Sequence, residues 1–123
     1  MEGVIDMEDS ILNTIKSMLG PDSSYEVFDP DIIVQINTAL AILTQVGVGS
    51  SKGFRITGAD ETWSDFLGDA EDLDMAKTYI YSRVKMLFDP PNNSFLMNAL
   101  KETAQELEWR LNVAVDPGLY NDD

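Results

Sequence analysis

Four stretches of the chain repeat their apolar residues every three or four positions, and each ends at a glycine or proline that a helix does not run through. Ile11, Leu12, Ile15, Met18 and Leu19 form the first, with Asp9 or Ser10 as its cap and Gly20-Pro21 as its stop. Asp29-Pro30-Asp31 then supplies an N-cap, a first-turn proline and a first-turn acid. The spacing predicts a second helix from Pro30 to Gln45, with Ile32, Ile33, Ile36, Leu40 and Leu43 on one side and Ala39 and Ala41 admitting close neighbours. No charge follows Asp31 in it, so heavy burial is expected. A third helix opens on the acids between Asp69 and Asp72, carries Leu73, Ala76, Ile80, Val84 and Leu87, and stops at Asp89-Pro90-Pro91. Asn92, Asn93 or Ser94 caps the fourth, whose buried stripe reads Leu96, Leu100, Thr103, Leu107 and Leu111.

Between the second and third of these lies a different kind of sequence. Gly47, Gly49, Ser50, Ser51 and Gly53 make an irregular loop, Phe54 to Thr57 alternates like a short extended arm, and Trp63, Phe66 and Leu67 mark a brief helix ending at Gly68. There is no internal repeat and no sustained heptad. The expected fold is all-α: a compact bundle of four main helices plus one short helix, with the loop or arm after the second. Residues 1–115 form one domain and 116–123 a short C-terminal tail, a length that one core can organise. The first regular pattern begins just after Met7, which makes Met7 an alternative start.

Charge and missing residues narrow the chemistry. The chain has 22 acids against 8 bases, a net charge of -14, and so lacks the excess of Lys and Arg that a sequence-independent grip on DNA requires. It has no cysteine and no histidine. Disulfides, thiolate metal sites, Cys nucleophiles and His bases are thereby excluded, and no convincing carboxylate pair takes their place; neither an enzyme nor a cofactor is expected. No basic N-terminal region announces a signal peptide, and no apolar run approaches membrane-spanning length, so the expected site of synthesis is the cytoplasm.

Each local motif has a bland reading that outweighs the chemical one. Asp60, Glu61, Asp65, Asp69, Glu71, Asp72 and Asp74 cluster like calcium ligands, but in no EF-hand order, and read as helix-start charges on a solvated face. Gly47 to Gly53 with Lys52 resembles a phosphate loop, but Gly53 stands where Ser or Thr is needed; the segment reads as a contact surface. Lys77, Arg83, Lys85 and Lys101 make a locally basic stretch with Asp89 its only acid. Lys77 and Lys85 share a helix face, and meeting the acidic stretch of a neighbouring copy suits them better than nucleic acid. Trp63 reads as core, whereas Trp109 lies off its helix's stripe and is a candidate partner contact.

The segments Asp29-Pro30-Asp31-Ile32-Ile33, Gly58 to Gly68, Phe88 to Phe95 and Glu106 to Leu111, in that order and spacing, resemble the phage head-tail connector, or adaptor, family of siphophages and prophages across about Met7 to Pro117. The resemblance implies a helical, non-enzymatic virion protein made in the host cytoplasm and resident at the head-tail interface. It implies a ring of about twelve copies under the portal, extending the DNA exit channel and offering a platform to stopper or tail-completion proteins. Genomic DNA would pass without specific binding, its phosphates repelled by acids on the wall. On this reading Gly49, Ser50, Lys52, Phe54, Arg55, Asp60, Glu61 and Asp65 are candidate subunit or channel contacts. Lys77, Arg83 and Lys85 form an intersubunit basic face, and Val115, Leu119 and Tyr120 a portal-binding tail. The competing reading is an acidic DNA mimic that inhibits a host DNA-binding protein or nuclease, less well served because the acids are interrupted by a basic region.

Overall fold

Ser10 opens the first helix, α1 (Ile11–Leu19): its extended backbone lets the hydroxyl accept the Asn13 amide at 3.1 Å. Gly20 closes it with a φ of 107°, a conformation that L side chains rarely adopt. The computed structural model describes residues 9–20, 26–49, 52–68 and 73–115, the last by its backbone alone. A 3-10 turn, Glu26–Phe28, runs straight into α2 (Asp29–Gln45), with Pro30 in the first turn. Asp29 falls inside that turn rather than at the cap, and its carboxylate accepts from Lys16 Nζ at 2.6 Å, tying the end of α1 to the start of α2.

The short helix is α3 (Trp63–Leu67). Thr62 Oγ1 accepts the Asp65 amide and Asp65 returns the contact to the Thr62 amide, a reciprocal capping box that satisfies two donors a helix start leaves without partners. Next come α4 (Leu73–Phe88) and α5 (Ser94–Val115). Asn93, from the three caps the sequence offers, takes the α5 start: its Oδ1 accepts the Phe95 amide at 2.8 Å and the Leu96 amide at 3.2 Å.

Helix α4 is the hub, packed against α1, α2 and α5. Its Ala76, Tyr79, Ile80 and Val84 meet Ile11 and Ile15 of α1, Ile36, Leu40 and Leu43 of α2, and Ala104 and Leu111 of α5 in one contiguous core. Trp63 joins it fully buried, its Nε1–H donating to Thr14 Oγ1 at 3.1 Å, while the Thr14 hydroxyl donates to the Ser10 carbonyl. Burying an indole without such a partner would cost stability, and here the pair also fastens α3 to α1. Two backbone bonds, from the Ile11 amide to the Glu61 carbonyl and from the Trp63 amide to the Asp9 carbonyl, complete that junction. Among the described residues the fold is the expected all-α bundle of four main helices and one short one.

Several finer expectations change. Helix α2 is not buried all round: Ile32, Ile36, Ala39, Leu40 and Leu43 face the core, but Val34 is 59 % exposed, and Thr38, Ala41 and Gln45 lie on the surface beside it. Met18, Leu87 and Leu96 fall outside the core. They belong to the terminal turns of their helices. In α5 the inward line is Met97, Leu100, Ala104, Leu107 and Leu111, so Thr103 is exposed and its neighbour Ala104 takes the close approach to α4. The segment Glu26–Gln45 is long and apolar enough to cross a membrane by length and composition, contrary to the sequence expectation. Its inner face packs into the core, and Glu26, Asp29 and Asp31 stand at its start, as suits the core helix of a bundle.

Candidate functional site

The arm after α2 is anchored. Ile56 is fully buried, and the Asn37 side chain clamps its backbone at both polar atoms, Nδ2 donating to the Ile56 carbonyl at 3.0 Å and Oδ1 accepting the Ile56 amide at 2.7 Å. Asn37 thus does for the arm what a neighbouring strand does for a β-strand. Among the described residues no strand forms, so Phe54 to Thr57 is an extended segment laid on a helix. Phe54 stacks on Phe66 at 5.4 Å between ring centres.

Between this arm and the outer face of α2 lies a shallow groove of about 880 Å³, lined on the helix by Val34, Asn37, Thr38 and Ala41 and on the arm by Lys52, Phe54 and Arg55. Helix α2 contributes no charge to it; Lys52 and Arg55 supply the cations. Lys52, Phe54 and Arg55, named from sequence as candidate subunit or channel contacts, thus line one groove. Gly49 has a more specific constraint: its φ is 80°, and a Cβ there would stand 2.8 Å from Phe66 Cε1. Ser50 lies outside the described residues.

The acidic candidates separate by role. Asp60 is exposed. Glu61 is engaged by the chain itself, its Oε2 accepting the Thr57 amide and hydroxyl and its Oε1 the Gly58 amide at 3.4 Å. Partial burial acts to raise its pKa, but the hydrogen bonds from Thr57, from its own amide and from Gly58 outweigh that and hold the carboxyl below its ordinary value of 4.5. Asp65 closes the capping box on Thr62. Asp69, Glu71 and Asp72 lie outside the described residues, and among those described no group of three or more acids is arranged to hold a metal ion.

The basic candidates sit on α4 with partners of their own. Lys77 Nζ lies 3.5 Å from Asp74, and Lys85 Nζ 2.8 Å from Asp89, each pair within one helical turn. Arg83 lies over the Tyr79 ring, 5.9 Å from its centre. The Tyr79 hydroxyl donates to Glu108 Oε2 at 2.9 Å, joining α4 to α5. Burial first, and then that hydrogen bond to a carboxylate, push the phenol's pKa far above its ordinary value. Trp109 is 55 % exposed on α5, consistent with its place off the stripe. The side chain of Val115 and the residues Leu119 and Tyr120 lie outside the described residues.

Sequence reasoning missed a cluster of exposed apolar residues at the α4–α5 connection, where Leu87 is 61 % and Phe95 76 % exposed. Its signal was available: large apolar residues stand on both sides of the Asp89-Pro90-Pro91 stop. Comparison with curated proteins and with solved structures finds no match. A family model described as phage connector protein matches residues 11–118.

Proposed function

The chain belongs to the phage connector protein family, and on that premise we propose that it is a structural, non-catalytic subunit of the virion's head-tail junction. A ring of about twelve copies under the portal extends the DNA exit channel and presents the platform on which a stopper or tail-completion protein docks. The observation that carries this reading is the span of the family match, 11–118, which takes in every helix of the bundle.

Two surfaces suit lateral contact between copies. The uncharged outer face of α2 with the Lys52–Arg55 arm is one: it exposes Val34 and Ala41 and brings its charge only from the arm. The exposed Asp60 and the α4 cations Lys77 and Lys85 are the second, an opposed pair that meets when copies pack head to tail, whereas Arg83 turns to a groove between α4 and α5. Lys77 and Lys85 already hold local acids at their own helix ends, so they contribute more to choosing orientation than to affinity. The excess of acids supports a channel wall that repels phosphate, with DNA passing unbound. The tail from Val115 through Leu119 and Tyr120 is the proposed portal contact.

Removing the chain from cells that assemble the particles tests the reading. DNA-filled heads and detached tails should accumulate, and re-supplying the chain should join them. Infectious particles assembling without it would overturn the proposal, and release of a host nuclease from inhibition instead would favour the DNA-mimic reading.

A further inference from the structure

One end of the bundle is where α1 and α4 finish and α2 and α5 begin. The Lys16–Asp29 ion pair joins the first two helices there, the rings of Phe28 and Phe88 meet edge to face at 5.6 Å, and a short connection links α4 to α5. Of the eight large apolar side chains exposed among the described residues, six lie at this end: Met18, Val27, Phe28, Leu87, Phe95 and Leu96. Val34 and Trp109 are the two elsewhere. Scattered singly, exposed apolar residues need no explanation; gathered at one end of a chain this acidic, they do.

A groove of about 400 Å³ leads from this end between α4 and α5. Met86, Leu87 and Met97 line it, and Arg83 and Lys101 flank them. Unbranched methionines let such a groove fit partners of differing shape. Two of the chain's eight bases thus border an apolar slot, which sets the chemistry of an occupant: an apolar side chain to fill the slot, with acids beside it to meet the two cations.

We propose that this end of the bundle is the docking surface for a second virion protein, which inserts an apolar, acid-flanked segment between Arg83 and Lys101. The inference rests on the head-tail reading and deepens it by assigning the platform to a place on the subunit. A partner of different sequence fits better than another copy. Two copies meeting through one terminal patch form a two-fold pair that closes at the dimer, whereas a ring grows through two different lateral surfaces and leaves its ends for other proteins.

The test uses the full-length chain with Leu87→Ser and Phe95→Ser combined, and separately Lys101→Glu. All three side chains are exposed, so helix content and melting should stay as in the wild type. Two probes are used: tailless DNA-filled heads, and heads already carrying the chain, challenged with purified tails. Each variant should lose about tenfold or more in the attachment of tails to heads that carry it, while its own binding to heads and its self-association measured by sedimentation are unchanged. Retention of tail attachment would overturn the proposal; so would a loss of head binding, which would make the portal the occupant, or a loss of self-association, which would make it a second copy. Failure of the wild-type chain to bind heads at all would strike the head-tail reading instead.

Discussion

Asn37 pairs both backbone polar atoms of Ile56 with one side chain. Replacing it with Ala would leave the buried Ile56 amide and carbonyl without partners, and two such losses should cost about 2 kcal/mol. Urea unfolding of Asn37→Ala checks this; unchanged stability would mean that the arm is held elsewhere. Tyr79 gives a pH signature. Its pKa is raised, so its contribution to stability is complete below the ordinary phenol value of 10.0 and is lost as pH rises beyond it. Tyr79→Phe should be less stable at neutral pH, without the Glu108 contact, yet show a weaker fall in stability above pH 10, which melting curves across alkaline pH will read. Neither contact was legible in the sequence, because the partners of Tyr79 and Ile56 are 29 and 19 positions away. The Glu61 and Asp65 bonds are local, within four residues, yet the acid-rich surroundings disguised them as a solvated run. That matters for the channel: neutralising Glu61 or Asp65 removes loop and cap contacts along with charge, so Asp60 is the residue whose replacement isolates an electrostatic effect on DNA passage.

Helix starts and stops were legible because they are local chemistry. Ser10, Gly20, Gly68 and Asn93 act within a few residues of themselves, and proline-bearing segments separate α1 from α2 and α4 from α5. Which face turns inward was less legible, because it depends on the neighbouring element. In α5, Thr103 and Ala104 stand side by side and only the small one fits against α4. Ala104→Leu should therefore destabilise the bundle by about 1–3 kcal/mol through overpacking, while Thr103→Leu on the surface should stay within about 0.5 kcal/mol. Equal effects in thermal melts would show that the α4–α5 seam is looser than drawn. The outer face of α2 illustrates a deeper ambiguity: an uncharged helix face looks the same in sequence whether its own chain or another protein covers it. Val34 resolves the matter for the isolated subunit, in which it stays exposed.

At the scale of the whole molecule, the bundle has two unlike ends. The end where α1 and α4 finish gathers Met18, Val27, Phe28, Leu87, Phe95 and Leu96 beside the exposed acids Glu26, Asp31 and Asp89, whereas the other, where α1 and α4 begin, carries the exposed acids Asp60, Asp65 and Asp74. Such polarity suits a subunit that stands between different neighbours along an axis and meets its own kind at the side. Net charge follows from counting residues; the gathering of apolar side chains at one end appears only once the helices are folded against one another, because those residues come from four separate segments. The central claim is that copies of this chain occupy the head-tail vertex as a ring. Adding the purified protein to tailless, DNA-filled heads and imaging the vertex tests it most directly. The account predicts a closed ring of helical subunits beneath the portal, coaxial with the channel; bare vertices, or protein scattered over the capsid surface, would contradict it.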